Sequence, residues 1–216
     1  FNTQPKNASS FYNGVITSSL RANHGDSSGL KRTGVTGTSR RIFTHSSWVK
    51  RTNIQTNTEA LLQVSPNNND TNNFTFGFRD EGDSDGPNVQ VSHYNGSAFD
   101  FRVETTAKLR DCSSWYHLVL RVDTTQGTDT NRVRIYINGV VQTDLAQDTY
   151  PSQNFDTSLN VANTIHYMAG GAAANAGGGN TYFDSYVTEI NYVDGLSLGP
   201  DSFGEFNNGI WIPINT

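Results

Sequence analysis

Residues 115–141 constrain the fold more than any other part of the chain. Trp115-Tyr-His-Leu-Val-Leu-Arg-Val-Asp123 leads into a polar loop over 124–131, and Arg132-Val-Arg-Ile-Tyr-Ile-Asn-Gly-Val-Val141 follows. Tyr116, Leu118, Leu120 and Val122 share one parity; His117, Arg121 and Asp123 share the other, with Val119 as its one apolar member. In the second run Val133, Ile135 and Ile137 oppose Arg132, Arg134 and Tyr136. Side chains of a strand alternate between faces, so both runs read as half-buried strands. The Thr, Gln, Gly, Asp and Asn residues between them supply turn chemistry. Asn138-Gly139 then reverses the chain into Val140 and Val141. Such a meander has one apolar face and needs a second sheet to cover it.

The rest of the chain repeats this grammar. Residues 1–13 are polar and turn-rich and read as a linker or arm; 14–216 read as one domain. Short strands are expected at 15–22, 29–33, 41–51, 59–64, 74–78, 89–94, 98–103, 165–169 and 182–194, the last with Tyr186, Ile190 and Tyr192 on one face. Asn95-Gly96 is the best hairpin signal. Residues 144–163 read mostly as loop, 170–180 as a Gly/Ala/Asn tract that cannot pack a core, and 199–204 as one helical turn begun by Pro200. No stretch has a convincing helical period. The fold class is therefore all-β, an antiparallel two-sheet β-sandwich.

Composition narrows the function classes. Hydrophobic residues are 34%, charged residues only 16%, and the net charge is −5. No Lys/Arg cluster exceeds two neighbours, which argues against nucleic acid as a partner. No apolar run is long enough for a membrane helix, so insertion is not expected. Cys112 is the single cysteine, which excludes an intrachain disulfide and a cysteine-rich zinc site. Its expected role is a small buried residue beside Trp115. Phe1, not Met, stands first, which suggests a fragment or a processed product.

Seven motifs in order carry a resemblance: Ser19-Leu-Arg21, Trp48-Val-Lys50, Trp115-Tyr-His117, residues 131–139, Tyr150-Pro-Ser-Gln-Asn154, Phe183-Asp-Ser-Tyr186 and Ser202-Phe-Gly204. Together they resemble the concanavalin A-like, laminin-G-like jelly-roll domain of tailed-bacteriophage surface proteins, over nearly the whole chain. The resemblance implies a virion surface or appendage protein of tail-fibre type, assembled in the host cytoplasm. It implies an oligomer that contacts other virion subunits and attaches to host-cell glycans multivalently. The alternative is a purely structural building block. A glycoside hydrolase is the third reading.

The hydrolase reading needs two carboxyl groups with opposite protonation demands. The nearest sequence match, Glu81-Gly-Asp83-Ser-Asp85, is broken by glycine and has Gly86 where a third carboxylate would stand, so no enzyme is expected. Asp80, Glu81, Asp83 and Asp85 are instead candidate calcium ligands, with Asp26 as a second place, against the plainer reading of solvated acidic loops. Glycan binding would use aromatic faces near loops. Tyr94, Phe99, Tyr150, Phe155 and Tyr167 are the candidates, with sheet-edge packing as the plainer role for each. Trp48 and Trp115 are expected in the core.

Overall fold

The structure, a computed structural model, describes residues 16–26, 28–54, 58–66, 71–79, 87–170 and 182–215. Fifteen strands run through them: β1 (Leu20–Ala22), β2 (Leu30–Thr33), β3 (Ile42–Arg51), β4 (Glu59–Ser65), β5 (Asn73–Arg79), β6 (Asn88–Tyr94), β7 (Phe99–Lys108), β8 (Tyr116–Asp123), β9 (Val133–Ile137), β10 (Val140–Val141), β11 (Leu145–Thr149), β12 (Ile165–Met168), β13 (Ser185–Asp194), β14 (Gly204–Asn207) and β15 (Ile210–Pro213). Six form one sheet in the order β1-β13-β3-β8-β9-β10, and seven form the other in the order β11-β7-β6-β5-β4-β12-β2. The remaining two, β14 and β15, make a separate hairpin. All neighbours are antiparallel, as the alternating pattern demands.

The two large sheets bury one face each. Phe43, Val49, Leu118, Leu120, Val122 and Ile135 from the first meet Leu62, Val64, Phe74, Phe76, Phe101 and Val103 from the second. Phe43 and Phe74 touch edge to face across the gap, with centroids 5.8 Å apart. This is the β8–β9 alternation of the sequence, closed by its missing partner.

Several sequence expectations are corrected by tertiary packing. β11 falls inside the stretch read as loop; it pairs with β7 along an edge that its own polar residues do not announce. In β13 the register shifts between Thr188 and Asn191, where Glu189 has φ 48°. A bulge adds a residue and reverses strand parity. Val187 therefore faces the core before it, Ile190 and Tyr192 after it, and Tyr186 is exposed rather than aligned with them. Trp115 is only half-buried, just ahead of β8, and Cys112 is half-buried too. Trp48 is buried as expected, but not between the sheets.

Trp48 lies on the opposite face of β3, the outer side of the six-stranded sheet. There it stacks on His117 with centroids 4.9 Å apart, and Trp211 of β15 stacks on the same imidazole at 5.9 Å. Val119, Tyr136 and Phe203 complete this second apolar layer. Val119 is thus no exception to the pattern; it serves a second core. The roof is the hairpin β14–β15, which is absent from the strands expected from sequence. Its signal was Asn208-Gly209, whose φ values of 50° and 81° suit a tight hairpin turn. Gly204 lets the indole lie on the backbone: a Cβ there would stand 2.6 Å from the Trp211 ring. The 3₁₀ turn Pro200–Ser202, read from the sequence as one helical turn, leads into this roof.

Candidate functional site

One end of the sandwich gathers the starts of β3, β5 and β7 with the ends of β6, β8 and β13. Its loops are rich in asparagine for a physical reason. Asn72, Asn154, Asn160 and Asn163 all adopt left-handed backbone, with φ between 56° and 63°. Asn tolerates that conformation better than other side chains except Gly. The polar composition seen in the sequence is therefore partly turn chemistry.

Within this end, polar groups converge on His93. Its Nδ1 lies 2.7 Å from Asp100 Oδ2, and its Nε2 lies 2.8 Å from Ser158 Oγ. Ser158 also donates to the Asn72 carbonyl at 2.5 Å. Asn95 Nδ2 donates to the other Asp100 oxygen at 2.8 Å, while Asn95 Oδ1 accepts the amides of Ser97 and Ala98 and closes the β6–β7 turn. Phe155 sets its ring edge-on to His93 at 5.1 Å and to Phe101 at 5.7 Å.

The loop that carries Phe155 and Ser158 is pinned from the other sheet. Thr124 Oγ1 donates to the Phe155 carbonyl at 2.8 Å. Arg40 Nε donates to the Thr157 carbonyl at 2.7 Å, and Thr157 Oγ1 returns a bond to the Arg40 carbonyl at 2.6 Å. Arg41 grips Asp156 with two bonds of 2.7 and 3.2 Å. That guanidinium holds the Asp156 carboxyl below its ordinary range. Burial pushes His93 below its ordinary value, while Asp100 pulls it up.

These residues line a cleft of about 380 Å³, walled by Arg40, Asn72, His93, Asp100, Phe155 and Asp156 among others. That volume is at the lower end of small-molecule sites. A second cleft of about 160 Å³ opens beside it, between β2, β12 and the end of β13. Asn160 lines this second cleft: its Nδ2 bonds Asp194 at 2.7 Å, and its Oδ1 accepts from Tyr192 at 3.1 Å.

Ser158, His93 and Asp100 have the connectivity of a nucleophilic triad, but while Ser158 is bonded to the Asn72 carbonyl they do not have its proton arrangement. A carbonyl oxygen can only accept, so the 2.5 Å contact commits the Ser158 proton to Asn72 rather than to the imidazole. Ser158 is also only 3% exposed. Asp156, held ionised by Arg41, is unsuited to act as a general acid. The cleft's chemistry is that of hydrogen bonding beside an aromatic wall.

The five aromatic candidates do not converge. Phe155 lines the cleft. Tyr94 and Phe99 flank the Asn95 turn beside it, with rings 5.2 Å apart and Arg102 over Phe99 at 5.5 Å. Tyr150 is half-buried against the main core, and Tyr167 is buried on the outer face of the seven-stranded sheet. That face is not an open platform: Gln63, Thr75, Gln90 and Ser92 project from it, yet each is buried. The cleft residues Arg40, Asn72, His93, Asp100 and Ser158 were not singled out by sequence reasoning, since no spacing links them. Asp80, Glu81, Asp83, Asp85 and the 171–180 tract lie outside the described residues. Asp26 sits in a short 3₁₀ turn and accepts from Asn23 Nδ2 at 2.7 Å.

A family model for the concanavalin A-like lectin/glucanases superfamily matches residues 24–195. This chain belongs to that superfamily. No curated protein matches the sequence significantly. Among solved structures, this concanavalin A-like domain is similar to domain 4 of AbnA, a GH43 extracellular arabinanase from Geobacillus stearothermophilus, solved with arabinotriose. The TM-score is 0.55 at 18% identity, covering 88% of this chain and 77% of that one. It is also similar to the CBM40 of the Ruminococcus gnavus IT-sialidase bound to α2,3-sialyllactose, with TM-score 0.52 at 16% identity, over 87% of this chain and 96% of that one. At these identities the likeness is one of fold.

Proposed function

We propose that this domain is a non-catalytic glycan-binding module whose binding site is the His93–Phe155 cleft. One observation carries the reading: an aromatic wall, a guanidinium and several amide and carboxylate groups converge on one concave space, rimmed by Asn-rich loops. An apolar ring face suits the C–H face of a sugar, and the amides suit its hydroxyls. Arg41 and His93 already engage the two carboxylates there, which favours recognition over acid–base cleavage. The two fold relatives support the reading, because each was solved with an oligosaccharide.

The setting proposed is a bacteriophage virion surface, where many copies attach the particle to host polysaccharide. The seven ordered sequence motifs support it. A shallow site of this size binds one sugar unit weakly, and display in many copies multiplies that by effective concentration. The test is adhesion of multivalent beads to host cells with and without their surface polysaccharide, beside monomer on a glycan array. Beads that bind intact cells, lose stripped ones, and outperform monomer support the proposal. Beads that ignore host cells leave the structural-building-block reading.

A further inference from the structure

We propose that His93 is a proton-operated latch on this cleft: the doubly protonated imidazolium ties Asp100 to Ser158 while Ser158 keeps its bond to the Asn72 carbonyl, and loss of the Nε2 proton makes Ser158 let go of Asn72.

The argument is a count of protons. Asn72 offers only a carbonyl oxygen, so the single Ser158 hydroxyl proton must lie on that 2.5 Å contact. Ser158 is then an acceptor toward His93, and the 2.8 Å contact requires a proton on Nε2. Asp100 Oδ2, an ionised acceptor, requires a second proton on Nδ1 across 2.7 Å. All three contacts are satisfied together only by the imidazolium. A neutral imidazole keeps the charge-assisted Nδ1–H bond to Asp100, the stronger of its two. Its bare Nε2 then attracts the Ser158 hydroxyl. The oxygens of Ser158 and Asn72 face each other without a proton, and they separate.

The groups facing His93 set where this happens. Asp100 on β7 favours the charged form, and Arg40 ahead of β3 opposes it. Asp156, paired with Arg41, lines the same cleft. Tyr94 is its neighbour on β6, and β5 is preceded by the neutral Asn72. Burial is the largest influence and favours the neutral form, so the latch closes on the acid side of an ordinary histidine. The four residues it joins sit on β6, β7, the segment before β5 and the loop before β12. The latch therefore ties together opposite walls of the cleft. Any effect on ligand rests on the glycan-binding reading; the proton exchange itself does not.

Side-chain nitrogen NMR of the intact domain, titrated without sugar, tests the latch. The expected result is two protonated nitrogens on His93 at the acid end, loss of the Nε2 proton alone as pH rises, and a concerted shift of the Asn73 amide, which follows the released carbonyl. In Ser158→Ala the His93 titration should persist, moved to lower pH, while the Asn73 shift disappears. An Nε2 proton that stays through neutral pH, or an Asn73 shift that survives Ser158→Ala, would overturn the proposal. Bead adhesion measured across the same titration is a separate arm. Adhesion level with pH beside a working NMR latch would place the binding site elsewhere and leave the latch standing.

Discussion

Trp211 Nε1 donates a 2.9 Å hydrogen bond to Nδ1 of His117, a residue 94 positions earlier in the chain. Nδ1 is therefore the unprotonated nitrogen, and Nε2–H faces Ser46 Oγ at 2.8 Å. One neutral tautomer is fixed by a strand on each side of it. This bond, with the Trp48–His117–Trp211 stack, joins the C-terminal hairpin to the body of the sandwich.

Truncating Trp211 should therefore loosen the hairpin and expose Trp48. Trp211→Ala is expected to cost about 3–5 kcal/mol. Trp211→Phe keeps most of the ring contact but leaves Nδ1 of His117 bare, and should cost about 1–3 kcal/mol. Urea denaturation measures both. Equal losses would mean that the hydrogen bond, not ring packing, fixes the roof; a negligible loss in Trp211→Phe would mean the reverse.

Acid should destabilise the fold through its buried histidines. Burial holds His45 and His117 down at about 3. Both ring nitrogens of His45 lie unpaired in the core, against Phe76. Unfolded, each histidine takes up its proton near pH 6.5. The folded state is the one that refuses the proton, so this stability is complete above about 6.5 and is lost as pH falls toward 3, at up to about 1.4 kcal/mol per unit for each histidine. Denaturation midpoints from pH 8 to pH 4 should fall along that course. His45→Leu should flatten the slope by close to one proton; an unchanged slope would remove His45 from the account.

The buried pair Arg51–Glu59 makes a third test. Its ions lie 2.6 Å apart with both side chains fully buried, and Glu59 Oε1 also accepts the Asp184 amide at 3.0 Å. Arg51 rests over the Phe78 ring at 4.6 Å. Arginine cannot shed its charge, so Glu59→Gln strands a cation in the core and should cost about 3–5 kcal/mol. A loss under about 1 kcal/mol would mean that water reaches Arg51.

For binding, the cleft residues should matter and the scattered tyrosines should not. Phe155→Ala and Asn72→Ala are expected to reduce multivalent adhesion strongly, whereas Tyr167→Phe should leave it level. Circular dichroism on each variant separates loss of site from loss of fold. The reverse pattern would move the site to the outer face of the seven-stranded sheet.

Local sequence determined most of the strands, the two-sheet class and the superfamily, because side-chain alternation, Asn-Gly turns and chemically distinctive motifs are all short-range signals; it did not announce β11 or the β14–β15 hairpin. It could not show which outer face would gain a roof. Val119 and Trp48 look like irregularities until Trp211 arrives from β15. It misaligned Tyr186 with Ile190 because the bulge at Glu189 reverses parity without marking the composition. It also left the cleft unseen. Arg40, Asn72, His93, Asp100, Phe155 and Ser158 come from five separate segments, and only the strand order β7-β6-β5-β4 in one sheet, facing β3 and β8 in the other, brings those segments to one end. That order is set by long-range pairing and by how the two apolar faces close on each other, which alternation within a strand does not encode.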